Sequence, residues 1–308
     1  MMRTLTAMVA LLSLLSNALA APTVARSETT DRGRYDHFDN FPSGKVISRN
    51  VVVFIPSGPP PDSGYAVLYM HDGHNLFDPA QAMGHEPWAA DQAIAQGHFP
   101  LILVAIDNTS LRWPEYVPLN AYAALPEELA LAAQGSEPTP RSDAYVDFIA
   151  DELKPFIDAH YPTRSDATHT FIAGSSMGGL ISIYAMERRP DIFGGAAGLS
   201  THWPATTNFA LFGNGPDSAD PRLAEIANLT VDTLADQLPN PRSHRLWVDY
   251  GDQTLDQFYA PYAHRFDDRA RRNGWSDTLS VRAYPGTAHN EASWRSRFPE
   301  VLEFLLRP

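Results

Sequence analysis

One passage constrains this chain more than any other. An apolar run from Thr168 to Ala173 leads into Gly174-Ser175-Ser176-Met177-Gly178-Gly179, and a helix-forming stretch then runs to Arg188 and stops at Pro190. The passage matches G-x-S-x-G set between a strand and a helix. Such a junction works only as a tight turn. Glycines two before and two after the central serine let neighbouring backbone pass close by, and the hydroxyl is pushed out beyond the end of the strand. The following amide, that of Met177, stands where a helix N-terminus gathers partial positive charge. A bare G-x-S-x-G also occurs in ordinary turns, so the flanking strand and helix give the match its weight.

The rest of the chain supplies a sheet for that turn to sit on. Strand-like runs recur at Val46 to Pro56, Tyr65 to Met70, Leu101 to Ile106, Ala196 to Leu199, Arg245 to Tyr250 and Leu279 to Tyr284. Helical patterns fall between them at Pro87 to Gln96, Ser142 to His160, Asp256 to Arg272 and Glu291 to Leu306. Strands without clean apolar–polar alternation, separated by helices, imply a mostly parallel sheet covered on both faces. Residues 21–44 read as a polar, irregular lead-in to a single domain spanning 45–308. Two segments, near 108–141 and 201–243, fit no regular element apart from a helix near Arg222 to Gln237. Long insertions of that kind usually cover or line a site.

Composition narrows the chemistry. The chain has 308 residues, 44% of them hydrophobic, enough to bury a large core. Acids outnumber bases by 36 to 23, a net charge of −13, which disfavours nucleic-acid binding. There is no cysteine, so disulfides and thiol chemistry fall away together. At the N-terminus, Arg3, the apolar run Ala7 to Leu15 and Ala18-Leu19-Ala20 form the pattern of a signal peptide over residues 1–20. The run is too short for a transmembrane anchor. The expectation is export to the periplasm or beyond.

A serine hydroxyl is a weak nucleophile until a base removes its proton, and the base needs an acid to orient it. In strand–helix folds with this turn, acid and base follow the serine in that order, each just past a late strand. His202, His244, His264 and His289 lie C-terminal to Ser176. His289 follows a strand through Pro285-Gly286-Thr287-Ala288 and precedes the last helix, the expected station. His244 begins a strand and His264 lies within a helix. Asp252 and Asp256 both suit the acid by position. His71, Asp72, His74 and His85 are chemically able to hold a metal with His289, but no helical H-x-x-x-H pair exists and no metal is expected.

Four stretches together resemble a known family. They are Leu68-Tyr69-Met70-His71-Asp72-Gly73-His74-Asn75-Leu76-Phe77-Asp78, the Gly-Ser-Ser-Met-Gly-Gly turn, Gly251-Asp252-Gln253-Thr254-Leu255-Asp256, and Gly286-Thr287-Ala288-His289-Asn290-Glu291 with Trp294. The chain from about Val46 onward resembles the esterase-D-like, or putative esterase, family of α/β-hydrolases. The resemblance implies an α/β-hydrolase fold with insertions over the active site. It implies Ser176 as nucleophile, His289 as base, and Asp256 rather than Asp252 as acid. It also implies an oxyanion hole built from the amides of Met177 and His74, with the Asp72 carboxylate bracing the His74 loop. The implied activity is carboxylic-ester hydrolysis on carbohydrate-linked, phenolic or siderophore-type esters, with no cofactor. An acyltransferase with the same triad, or an exported binding protein on the same fold, are the alternatives.

Substrate contacts are weakly encoded. Arg112, Trp113, His202 and Trp203 lie in the two insertions and are candidates for the mouth of the site. Aromatics there would stack on sugars or phenolic groups, or simply pack the insertions down. Arg112 would meet an anionic substrate group or pair with Glu115.

Overall fold

A computed structural model of the protein describes residues 21–307. The signal-peptide reading of residues 1–20 lies outside them. The chain runs β1 (Arg26–Thr29), β2 (Gly33–Phe41), β3 (Arg49–Pro56), β4 (Ala66–His71), α1 (Ala90–Gln96) and β5 (Leu101–Ile106). Then come α2 (Arg112–Tyr116), α3 (Leu119–Ala123), α4 (Glu127–Gln134), α5 (Ser142–Phe148) and α6 (Lys154–His160), the last two joined by a single π-helical stretch at Ile149–Leu153. The second half is β6 (Thr170–Ser175), α7 (Met177–Arg188), β7 (Gly195–Leu199), α8 (Pro221–Gln237), β8 (Arg245–Tyr250), α9 (Ala260–Arg272), β9 (Leu279–Ala283) and α10 (Glu291–Leu305).

The nine strands among the described residues form one sheet in the order β1-β2-β3-β5-β4-β6-β7-β8-β9. From β5 to β9 every pairing is parallel, and β1, β2 and β3 add an antiparallel margin. The parallel strands are buried because both faces are covered. On β4, Val67 and Tyr69 enter one core with α5 to α9, while Leu68 and Met70 enter the other with α1 and α10. Period-2 alternation thus survives in direction but not in polarity, which is why these strands read as continuous apolar runs.

Two expectations are corrected. Residues 26–41 are not an irregular lead-in but the two outer strands. Every residue of β1 is exposed, so no apolar alternation marks it; an edge strand of this kind is defined by its partner. The first insertion is likewise not irregular: it holds α2, α3 and α4. These are helices of five to eight residues, below the length at which periodicity shows or a helix stands alone. The helix expected near Arg222 to Gln237 is present as α8. Among the described residues, no helix is long and apolar enough to cross a membrane.

In a parallel sheet all strands end on one edge. The loops after β4, β6, β7, β8 and β9 therefore meet there. The chain reverses its direction of travel across the sheet between β4 and β6, the switch point where open α/β sheets leave a crevice.

Candidate active site

Ser176 sits at that switch point, directly after β6. Its backbone is at φ 57°, ψ −122°, a region nearly closed to side-chain-bearing residues and costing about 1–3 kcal/mol. Surrounding contacts hold it there. The Ser176 amide donates to Leu199 O (2.9 Å), and its carbonyl accepts from Gly179 N (3.1 Å) and His202 N (3.1 Å). Close approach explains the glycines. A Cβ on Gly174 would lie 2.9 Å from Gly178 C, and one on Gly179 would lie 2.9 Å from Gly198 Cα. The Ser176 side chain is partly exposed and its hydroxyl makes no hydrogen bond among the described residues. Met177 opens α7, so its amide is one that a helix leaves without an internal partner.

His289 stands three strands along the same edge, after β9. Its Nδ1 lies 2.6 Å from Asp256 Oδ1, and its amide donates to Thr254 Oγ1 at 2.9 Å. Asp256 is completely buried in the turn Thr254–Phe258 after β8. Burial alone would push its carboxyl up. The hydrogen bond and charge of His289, with donors from Ser200 and Gly251, outweigh that and hold it below its ordinary value. Asp252, the other sequence candidate, is exposed and accepts from Gly286 N (2.8 Å) and Gln253 Nε2 (2.9 Å). It clasps the turn before His289 instead of the imidazole. Ser176 and His289 are bridged by a short chain of contacts: Ser176 O to His202 N, His202 Nδ1 to Tyr259 OH (2.5 Å), and the Tyr259 ring edge-on to His289 at 5.7 Å. An imidazole so oriented keeps Nδ1–H on the carboxylate and leaves Nε2 to take a proton.

The loop after β4 brings Asp72 and His74 alongside. Asp72 takes a left-handed conformation (φ 55°). Its carboxylate is clamped by Arg112 Nε (2.8 Å) and Nη2 (2.7 Å) and by Asn108 Nδ2 (2.6 Å). Burial opposes ionisation, yet Arg112 and Asn108 bring the Asp72 carboxyl down to about 2. Arg112 therefore spends its fork on Asp72. It does not pair with Glu115, which is taken by Arg49 from β3 at 2.9 Å through both oxygens. A Gly73 Cβ would lie 2.8 Å from Ile106 N, so only glycine fits beneath this turn. Burial pushes the Asp107 carboxyl up, and the neighbouring His74 opposes that rise through its charge and its backbone amide. His71 is buried, with Nδ1 2.8 Å from Tyr145 OH, and burial lowers its pKa to about 3. Among the described residues no three His, Asp or Glu side chains cluster as metal ligands would.

Three of the candidate substrate contacts are corrected. Trp113 is buried, with its Nε1 donating to Ala205 O at 3.2 Å. Trp203 has no exposed surface and packs on Phe266, ring centroids 4.9 Å apart. His202 is buried between Tyr259 OH and Thr206 O, and burial lowers its pKa to about 3. These side chains pin the two insertions to the domain and to each other. Of the four, only Arg112 keeps appreciable side-chain exposure, 33%.

The loops after β4, β6, β8 and β9 that carry the four motifs meet at one sheet edge, and the family model described as "Putative esterase" matches residues 47–305. The chain belongs to the putative esterase family. This esterase-family chain is 29% identical over 177 residues to the ferri-bacillibactin esterase BesA of Bacillus subtilis (strain 168), covering 52% of this chain and 57% of that protein. It thus spans little more than half the length of that curated relative. Among solved structures it resembles a ferulic acid esterase (TM-score 0.59, 21% identity, 90% of this chain and 98% of that one). It also resembles an IroE-like serine hydrolase from Shewanella oneidensis (TM-score 0.58, 20% identity, 87% and 79%). These likenesses establish the α/β-hydrolase type of fold.

Proposed function

We propose that this protein is an exported serine carboxylic-ester hydrolase working through Ser176, His289 and Asp256. The observation that carries the reading is the 2.6 Å contact of His289 Nδ1 with a fully buried, ionised Asp256, on the sheet edge that also presents Ser176 in a strained turn. A strained serine costs stability, and its best use is to expose a nucleophile.

In this mechanism the Ser176–His289 hydrogen bond closes as substrate enters, as catalytic contacts commonly do. His289 Nε2 takes the Ser176 proton while Oγ attacks the ester carbonyl. Asp256 holds the tautomer and stabilises the imidazolium. The Met177 amide meets the developing oxyanion, aided by the α7 N-terminus. The His74 amide joins it from the loop after β4. His289 then protonates the leaving alcohol, and a water, deprotonated by the same imidazole, releases the acid from Ser176. The relatives named above include a siderophore esterase and a ferulic acid esterase. Together with export, they support small-molecule, phenolic or carbohydrate-linked esters as substrates.

The test is turnover of p-nitrophenyl acetate and labelling by a fluorophosphonate. Ser176→Ala abolishes both. Wild-type turnover or labelling in that variant refutes the assignment.

A further inference from the structure

We infer that Ser200, held by Arg297 and Trp294, is a positioning residue that locks the Asp256 carboxylate in its ionised, His289-facing state. The inference rests on the reaction reading above. It adds Ser200 and Arg297, which neither the sequence motifs nor the family resemblance pointed to.

Ser200 directly follows β7, next to the residue whose carbonyl holds the Ser176 amide. It has no exposed surface and stands at φ 46°. Its Oγ has three partners. Trp294 Nε1 lies at 2.9 Å, Arg297 Nη2 at 2.7 Å and Asp256 Oδ2 at 2.5 Å. An indole N–H and a guanidinium N–H only donate. They therefore fill both lone pairs of the hydroxyl. Its single hydrogen has one place left to go, Asp256 Oδ2. With the Gly251 amide on the same oxygen at 2.6 Å, that oxygen is committed to accepting. The other oxygen then faces Nδ1 of His289. A proton resting on Oδ2 would collide with two donors, so that oxygen stays bare and Oδ1 is the one left to His289.

Arg297 gives the arrangement its charge. It is 1% exposed, and it lies 3.4 Å from Asp249 Oδ1 and 4.0 Å from Asp256 Oδ2. One buried cation thus faces two buried carboxylates. Asp249 is further held by Ser200 N (3.0 Å) and Trp247 Nε1 (2.8 Å), and the Ser200 hydroxyl is the hydrogen-bonded link from Arg297 to Asp256. Arg297 stacks over Tyr284 at 5.0 Å, which fixes the guanidinium plane.

Ser200→Ala and Ser200→Gly remove the hydroxyl. The glycine variant also relieves the positive φ, so it keeps the test alive where alanine impairs folding. In the full chain, each variant is expected to lower kcat about 10-fold or more with KM within about twofold, because the loss acts on the charged imidazolium and not on substrate binding. The low-field proton resonance of His289 Nδ1–H should move upfield in both. Arg297→Lys should retain more of that resonance position than Arg297→Met. The resonance reports the Asp256–His289 contact whether or not any ester is hydrolysed. If the wild type turns over no ester but the resonance still shifts on removing the hydroxyl, the reaction reading fails and the positioning role stands. A folded Ser200→Gly protein with unmoved resonance, or with wild-type kcat, overturns the inference.

Discussion

Replacing Asp256 by asparagine changes one atom in the site, and the surrounding donors decide which way the new amide points. Asp256 Oδ2 receives hydrogen bonds from Ser200 Oγ (2.5 Å) and Gly251 N (2.6 Å), while Oδ1 faces His289 Nδ1 at 2.6 Å. Turning the amide NH₂ toward Ser200 and Gly251 would oppose buried donors, at about 1–3 kcal/mol for each bond left unmade. The carbonyl oxygen therefore takes the Oδ2 position and the NH₂ faces His289. That donor forces His289 to accept at Nδ1 and to carry its proton on Nε2. The imidazole is then in the wrong tautomer to deprotonate Ser176. A buried aspartate lost in this way from a serine–histidine–aspartate site lowers kcat about 10⁴-fold, equivalent to roughly 5.5 kcal/mol of transition-state stabilisation. The assay is steady-state turnover of p-nitrophenyl acetate, with circular dichroism to verify the fold. KM should change little. The exposed neighbour supplies the control: Asp252→Asn should stay within about threefold of wild type, since surface groups away from the reacting atoms have small effects. A kcat for Asp256→Asn within tenfold of wild type, or a larger loss for Asp252→Asn, would refute the reasoning.

Further expectations concern strain and the Asp72 clamp. Ser176→Gly should abolish turnover yet raise stability by about 1 kcal/mol, because glycine accepts the positive φ without strain; thermal unfolding measures it, and a lowered midpoint counts against stored strain. Arg112→Ala should destabilise the fold by about 1–3 kcal/mol, since it strands a buried carboxylate with only Asn108 as partner. The sign of its pH dependence follows from Asp72, whose carboxyl is brought down to about 2 in the folded chain. A depressed carboxyl stabilises the fold above its unfolded pKa of about 4 and loses that contribution as pH falls toward 2. The stability gap between wild type and Arg112→Ala, read from urea midpoints, should accordingly shrink on acidification from pH 5 to pH 3. A gap that widens over that range would contradict the clamp.

What the sequence by itself determined is the part of this protein written locally. The turn at Ser176 needs only its own glycines and the strand and helix on either side, so it is legible in six consecutive residues. The parallel sheet is legible because strands buried on both faces must be apolar throughout. His289 is found by its station after a late strand. The tertiary structure alone decided everything that depends on which distant group arrives first. Arg112 and Glu115 are near neighbours on α2 and invite a pair, yet Asp72 takes the arginine and Arg49 takes the glutamate. Trp113, His202 and Trp203 look like a binding mouth in the insertions, but those insertions bury their own aromatics against the domain. The resemblance implied Asp256 over Asp252, and the direction of a short turn is what sets Asp256 against His289 and Asp252 against Gly286. Arg297 carries one hint, a charge three residues after Trp294 on the buried face of the last helix. Its partner Ser200 lies 97 residues away, and no local pattern can specify a hydrogen bond across that distance, because it exists only once α10 has packed against the end of β7.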